Sequence, residues 1–542
     1  MIFNSNKQSD NNINEEIKLI LELVKKGNLN GSEKQAILIT EKFPTNFIGW
    51  KLLGVIYLYQ KKYTESIKVN EKAFELEPND PEIYNNLGVS YQLLNELDKS
   101  ELFLKKAIKL KTNFAEAYLN LGKTLDKLDR TEESQKAYEI CISIKPDYTD
   151  AYLNLSELLE KINKYNDSLL VIEKGLTNTI EKKNDFLFFK ALILYHKENY
   201  NDATVITTKI NFNKISDSRK THFLKLKADL YNHNKDFKSA YETYQEMNNL
   251  IKQRSDYNKI NADKFFNNQK EKINQITKLQ ESHTHKALIE PSWYQPVFLI
   301  GFPRSGTTLL DTILRTHSKI NVIEEKPMVI KMETAFSKPL EISEIEKLDY
   351  NYSKYLSNFY FKELKKHTNV QENNVIIDKF PLNIIKLPLI NKVFPNAKFI
   401  LALRHPLDCI LSCWMQNFRL NAAMSNMLDI SRLVDFYSLE MEFLNICIKR
   451  YSLNILKIKY EDLIKSFDSE TKRILNYLNL EWEIGIKEFH KTALNRSKIN
   501  TPSYSQVSKP IYKHASYRWK NYSNYLDIYE KKLSKWIKEY NY

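Results

Sequence analysis

Val297-Phe298-Leu299-Ile300-Gly301-Phe302-Pro303-Arg304-Ser305-Gly306-Thr307-Thr308-Leu309-Leu310 reads as a strand, a loop and the start of a helix. The apolar run 297–300 suits a buried strand. Leu309, Leu310, Ile313 and Leu314 recur at helical spacing. Strand, glycine-containing loop and helix in that order aim backbone N–H groups at a helix N-terminus, where an anion binds. The spacing matches G-x-x-x-x-G, yet Thr307 stands where a nucleotide-hydrolysing loop carries its lysine. The cation here is Arg304, inside the loop. No strand ends convincingly in an aspartate placed to hold magnesium. The loop therefore suits a ligand with fewer phosphates and no required metal. An ordinary strand–helix turn is the bland reading, and Arg-Ser-Gly-Thr-Thr is unusually rich in donors for that.

Outward from the loop, three further strand ends carry polar groups. Val375-Ile376-Ile377-Asp378 is followed by Lys379, Lys398 to Leu403 by Arg404, and Ile455 to Ile458 by Tyr460. Ligands of open α/β sheets bind outside the carboxyl ends of the strands, so two cations and a phenol there form a coherent site with the loop. His405-Pro406 follows Arg404, and proline suits the first turn of a helix. Ser412 lies eight residues past Arg404, about 12 Å of helical rise. Approach of both to one phosphate then requires a turn of the chain at Pro406.

The first half is a repeat. Trp50, Tyr84, Tyr118 and Tyr152 are 34 residues apart. Leu53, Leu87, Leu121 and Leu155 keep the period, as do Gly54, Gly88, Gly122 and Ser156. Ser66, Ser100, Ser134 and Ser168 mark another small position, Ala73, Ala107 and Cys141 a third, and Pro78 and Pro146 close two units. Small residues let paired antiparallel helices approach, large ones fill the groove, and proline ends the second helix. The pattern resembles the tetratricopeptide repeat. Weaker copies follow at Ala191, Leu194 and Ala203, and at Ala228, Tyr231, Ala240 and Tyr244; a partial unit runs from near Ile13 to Pro44. Residues 13–250 thus read as six or seven stacked units. Such stacks present a concave surface to a protein or peptide partner. Residues 251–290 read as a polar helical connector, with His283 and His285 solvated.

Composition bounds the rest. The 542 residues suit two to four domains, and 42% hydrophobic residues suffice for packed cores. Only 10 glycines and 15 prolines disfavour an all-β chain. The net charge of +14 is diffuse; it fits an anionic ligand or an acidic partner and predicts no specific nucleic-acid binding. Four cysteines argue against a disulfide framework. Cys409 and Cys413 share a helical face but lack a second pair with zinc spacing, so no metal is expected. No apolar run is long enough for a membrane span, and Met1 to Glu16 lacks an apolar leader, which predicts a cytoplasmic address.

The second half resembles the sulfotransferase superfamily, whose donor is 3′-phosphoadenosine 5′-phosphosulfate. Pro303 to Leu309 is similar to that family's 5′-phosphosulfate loop, and Arg404 with Ser412 to its 3′-phosphate pair. The match is closer to the tyrosylprotein sulfotransferases, and closest to bacterial proteins that fuse tetratricopeptide repeats to such a domain. The resemblance implies Glu325 as general base, with neighbouring Glu324 the fallback, Lys379 and Arg304 as catalytic cations, and Ser305, Gly306, Thr307 and Thr308 around the donor. It implies Tyr460 near the adenine. Ser503, Gln506, Val507, Lys509 and Tyr512 stand in its cofactor-covering segment, and Arg518 where the family has a lysine. Gln416 replaces another phosphate-binding arginine, a role that could pass to Arg419. Lys326 and Pro327 depart from the residues that help read an acidic peptide. His317 is a rival base, with a helix-end role the alternative.

These readings give a tetratricopeptide solenoid (13–250), a connector (251–290) and a P-loop-like α/β sulfotransferase domain with a central parallel sheet (291–542). The expected activity is sulfuryl transfer to a hydroxyl of a protein (tyrosine included), glycan, lipid or metabolite, with the repeats recruiting the acceptor or a partner. Two alternatives stay open: a repeat scaffold with a non-catalytic nucleotide-binding domain, and a P-loop kinase. Homodimerisation through either half is compatible with the sequence.

Overall fold

The computed structural model describes residues 15–179, 181–254, 257–279, 293–368, 374–494 and 516–542. They form two compact units that divide after Ser216.

In the first unit residues 15–25 are helical. Eleven helices follow: α1 (Leu29–Lys42), α2 (Phe47–Tyr59), α3 (Tyr63–Leu76), α4 (Pro81–Leu93), α5 (Leu97–Leu110), α6 (Ala115–Lys127), α7 (Thr131–Ile144), α8 (Thr149–Lys161), α9 (Tyr165–Asn178), α10 (Lys183–His196) and α11 (Tyr200–Thr208). The periodic small residues sit where paired helices touch. A Cβ on Gly122 would meet the Tyr138 ring at 2.5 Å. The periodic serines have a second task. Ser66, Ser134 and Ser168 each donate from Oγ, at 2.8 Å, to the carbonyl of the small residue twelve positions back: Gly54, Gly122 and Ser156. This locks the second helix of a pair onto the first. Trp50 Nε1 and Tyr152 Oη each donate at 2.9 Å to the carbonyl of Pro44 and Pro146. One aromatic position thereby fastens the turn before its helix.

The turns repeat as closely as the helices. Lys61, Asn95, Asp129 and Asn163 all take left-handed backbone, with φ of 62°, 63°, 61° and 59°. The next residue's N–H reaches back to close the helix end, as in Lys62 to Tyr57 O, Glu96 to Tyr91 O, Arg130 to Leu125 O and Lys164 to Leu159 O, each at 2.9 Å. Such closure satisfies carbonyls that a helix end leaves unpaired. Asn and Asp tolerate this conformation better than most residues.

The second unit begins with a helical hairpin, α12 (Asp217–His233) and α13 (Phe237–Lys252), followed by α14 (Ala262–Lys278). The hairpin turn again has a left-handed residue, Lys235 at φ 61°. By packing, this hairpin belongs with the sheet that follows, whereas periodicity in the sequence assigns it to the repeats and puts the boundary at 250. The reason is visible in its contacts: Asn248 and Tyr241 bind Trp414.

Five strands form one parallel sheet: β1 (Val297–Gly301), β2 (Ile320–Glu324), β3 (Val375–Lys379), β4 (Lys398–Leu403) and β5 (Asn454–Lys459), in the order β2-β3-β1-β4-β5. Both faces are covered. Phe298 packs against Tyr360, Phe394 and Phe399 on one side. Leu299, Ile313, Ile377, Ile400 and Ile474 share a core on the other. Strands buried on both faces read as continuous apolar runs, which is why β1 and β4 stand out in the sequence. The helices that place the site are α15 (Thr307–Arg315) after β1, α16 (Tyr350–Leu364), α17 (Pro406–Trp414) after β4, α18 (Ile430–Tyr451), α19 (Tyr460–Lys465) after β5, α20 (Phe467–Leu478) and α21 (Ser523–Glu539). The chain leaves β1 toward β2 and leaves β4 toward β5. The sheet's switch point therefore lies between the neighbours β1 and β4, where α/β folds bind ligands. Among the described residues no helix is long and apolar enough to cross a membrane.

Candidate functional site

The loop after β1 is drawn tight. Ser305 N–H donates to Phe302 O at 3.1 Å, and Arg304 and Gly306 take φ of 69° and 102°. Gly306 is required twice over, because a Cβ there would also meet the Tyr460 ring at 3.0 Å. Left-handed backbone at a non-glycine residue stores about 1–3 kcal/mol and is retained where surrounding contacts impose it. At Arg304 those contacts are plain. Its Nε donates to Ser412 Oγ at 3.0 Å, and Arg404 Nη1 donates to its carbonyl at 3.3 Å. The Cys413 thiol donates to Pro303 O at 3.2 Å.

Arg304, Arg404 and Ser412 thus meet, the chain passing from strand into helix at Arg404 to Pro406. Arg404 precedes α17 and Ser412 sits near its far end. Both reach the loop arginine, one at the main chain and one at the side chain. The Arg404 guanidinium lies 5.1 Å from the centre of the Tyr460 ring, which fills the floor beside Gly306. Ser305, Thr307 and Thr308 are all buried at the start of α15, and Ser305 Oγ has no hydrogen-bond partner among the described residues. A buried hydroxyl without a partner, a helix N-terminus and two arginines fit a phosphate-bearing ligand.

A second cluster stands at the ends of β2 and β3. Lys379, fully buried, donates to Glu325 Oε1 at 2.7 Å and to Glu324 Oε1 at 3.2 Å. The two carboxylates differ: Glu324 is 9% exposed and Glu325 42%. Burial pushes the Lys379 ammonium down, but the negative charges of Glu325, Glu324 and Asp311 outweigh it, so its pKa is raised and it stays charged. Glu325 has left-handed backbone, φ 50°, and its N–H donates to Lys379 O at 2.8 Å. The strained turn thereby aims an open carboxylate away from the sheet while keeping it on the lysine.

The rival base is committed elsewhere. His317 is buried after the end of α15; its Nε2 donates to Glu481 O at 3.0 Å and its Nδ1 accepts from Lys319 N–H at 3.0 Å. Gln416 follows α17, and Arg419 is exposed. Ser503, Gln506, Val507, Lys509 and Tyr512 lie outside the described residues, as do His283 and His285.

Arg518 is described, and its placement rests on a residue that the sequence alone does not single out. Buried Asp408, in the first turn of α17, accepts from Tyr517 N–H at 2.6 Å and Trp519 N–H at 2.9 Å, gripping the backbone on both sides of Arg518. Trp519 stacks on His405 at 5.2 Å. Burial, then Lys520 and Arg404, pushes the His405 imidazole down to about 4, so it stays neutral at physiological pH. Asp408 carries one sequence signal, an acid just after His405-Pro406, where a helix N-terminus favours negative charge.

Residues 296–484 match the model of the sulfotransferase family. Residues 54–95 match a TPR repeat model, and 81–114 and 115–148 match a tetratricopeptide repeat model. An uncharacterized protein of Aquifex aeolicus (strain VF5) is 30% identical over 245 residues, covering 43% of this chain and 31% of that protein. Protein-tyrosine sulfotransferase 1 of Danio rerio is 24% identical over 249 residues, covering 41% of this chain and 65% of its own. The chain therefore spans about a third and just under two thirds of these two relatives. Among solved structures, MamA is similar over 29% of this chain and 92% of its own, at 25% identity and a TM-score of 0.27. With its 34-residue helical repeats and its parallel sheet, this chain joins tetratricopeptide repeats to a domain of the sulfotransferase family.

Proposed function

We propose that the second unit transfers a sulfuryl group from 3′-phosphoadenosine 5′-phosphosulfate to a hydroxyl acceptor, with protein tyrosine the leading class, and that the repeats recruit the acceptor or a partner. One observation carries this reading: Arg304, Ser412 and Arg404 are joined at the β1/β4 switch point, and Lys379 is joined to an open Glu325 at neighbouring strand ends. The likeness to protein-tyrosine sulfotransferases supports the choice of acceptor.

When bound, the donor supplies an electrophilic sulfur whose bond to the 5′-phosphate oxygen breaks as the acceptor oxygen bonds to it. The residues of this chain do the remaining work. Glu325 takes the acceptor's hydroxyl proton, and its exposure lets an acceptor reach it. Lys379 and Arg304 are fixed cations facing the charge that develops on sulfate and phosphate oxygens. Arg404, Ser412 and the N–H groups of α15 hold the phosphates, and Tyr460 offers a ring to the adenine.

Calorimetric titration with 3′-phosphoadenosine 5′-phosphate, in parallel with ATP–magnesium, tests this. Affinity in the micromolar range for the bisphosphate is expected. Arg404→Ala removes a charge-assisted contact and should weaken binding by about 10–100-fold. Tight ATP–magnesium binding with none of the bisphosphate would overturn the reading in favour of a kinase-like site.

A further inference from the structure

The α12–α13 hairpin is anchored on both sides of the loop site. On one side, Asn248 Nδ2 donates to Trp414 O at 3.0 Å, Asn417 Nδ2 donates to Thr221 Oγ1 at 3.1 Å, and the Tyr241 ring lies 4.7 Å from Trp414. Trp414 is two residues past Ser412, which holds Arg304. On the other side, Tyr522 Oη donates to Asn232 Oδ1 at 2.7 Å, four residues past Arg518.

Lys225 lies near the middle of α12, between these anchors. Its Nζ donates to Asp229, whose other oxygen accepts from Tyr244 Oη at 2.5 Å. Tyr244 is itself buried against Trp414. The Lys225 side chain is 21% exposed. An ammonium has three N–H donors, and among the described residues Asp229 is the one acceptor it uses, so two remain for a ligand. Burial pushes the ammonium below the usual lysine range and Asp229 pulls it back, while the positive charges of Arg518 and Arg304 add to the push. The Lys225 ammonium therefore feels the arginines of the loop site as well as Asp229.

We propose that Lys225 is a donor-site residue: from a helical hairpin that precedes the sheet it adds a further cation to the phosphate site of Arg304, Arg404 and Ser412. Asp229 is its countercharge, competing with the ligand for the ammonium, and Tyr244 Oη holds that carboxylate. The inference rests on the donor reading above but goes beyond it. It makes the hairpin part of the binding site, so that order in the hairpin and occupancy of the site depend on one another.

The test titrates the full chain with 3′-phosphoadenosine 5′-phosphate. Lys225→Gln should weaken binding by about 10–100-fold, the range for a charge-assisted contact, and Lys225→Arg should restore most of it, which a merely structural role would not predict. Wild-type binding with unchanged affinity in Lys225→Gln would overturn this inference and leave the donor reading standing. Failure of the wild-type chain to bind the bisphosphate would overturn the donor reading, and the inference with it. Should Lys225→Gln fail to fold, Asp229→Asn decides. Freed of its countercharge, Lys225 then tightens bisphosphate binding; unchanged or weaker binding would mean that the pair is structural and the inference wrong.

Discussion

Glu324 and Glu325 share one lysine, and the structure separates what each contributes. At an effective dielectric of about 20, a pair 2.7 Å apart attracts by about 6 kcal/mol and one 3.2 Å apart by about 5 kcal/mol, before desolvation is counted. Exposure then decides the net values. Glu325 is 42% exposed, so water screens its pair, and Glu325→Gln should change stability by no more than about 1 kcal/mol. Glu324 is 9% exposed; Glu324→Gln leaves a fully buried ammonium with its solvated partner Glu325 and the charge of Asp311, and should cost about 2–4 kcal/mol. Turnover runs the other way. On the proposed role of Glu325 as base, Glu325→Gln should lose about 10²–10⁴-fold in kcat, with bisphosphate affinity changed less than about threefold. The assay is transfer of labelled sulfate from the donor to a pool of tyrosyl peptides, with denaturant unfolding and calorimetry on the same preparations. If Glu325→Gln turns over within about threefold of wild type, the assignment fails. If Glu324→Gln instead loses turnover at full donor affinity and normal stability, the buried carboxylate is the base.

Two further outcomes follow from packing and burial. Gly122→Leu drives its side chain into the Tyr138 ring, which a Cβ alone would meet at 2.5 Å, and should destabilise the first unit by about 1–3 kcal/mol in thermal unfolding followed by circular dichroism, while bisphosphate binding by the second unit is retained. Glu440 on α18 is fully buried, and burial pushes its carboxyl up to about 8, with Lys272 a minor opposing influence. Between pH 4.5 and 8 the folded chain then keeps a proton that the unfolded chain has lost, so stability falls as pH rises across that window, by up to about 1.4 kcal/mol per pH unit. Unfolding of Glu440→Gln should lack that fall, leaving the variant the more stable of the two near pH 8 by unfolding midpoint; identical pH profiles would refute the burial argument.

The parts of this protein that are legible in the sequence are those in which one residue type answers one local demand many times. A small residue is needed wherever paired helices touch, and the period of 34 shows it. The αL turns are equally periodic, yet Lys61 hides the Asn and Asp of the later copies, and the positive φ carries no side-chain signal of its own. The tight loop after β1 is legible because the left-handed turn into α15 needs a glycine at a fixed offset from the apolar strand. Strand ends with cations are legible because buried parallel strands are continuous apolar runs.

What stays hidden depends on contacts across long stretches of sequence. Asp408 fastens the segment of Arg518 from about 110 residues away, and Ser412 meets Arg304 across 108. No local pattern announces either. The hairpin of α12 and α13 shows the same limit from the opposite direction. Its repeat-like residues do mark a helical pair, and periodicity alone then assigns that pair to the array. Periodicity describes how a pair is built internally and says nothing about which surface buries its outer face. Asn248, Tyr241 and Tyr244 bury that face on Trp414, at the end of the helix that carries Ser412. A repeat unit used in this way cannot be removed as a recognition module without uncovering the helix that holds the loop arginine. A shortened chain begun at the sequence boundary, after residue 250, should therefore bind the bisphosphate poorly in calorimetry, and one begun before Asp217 should bind it well; equal binding by both would show the hairpin to be dispensable.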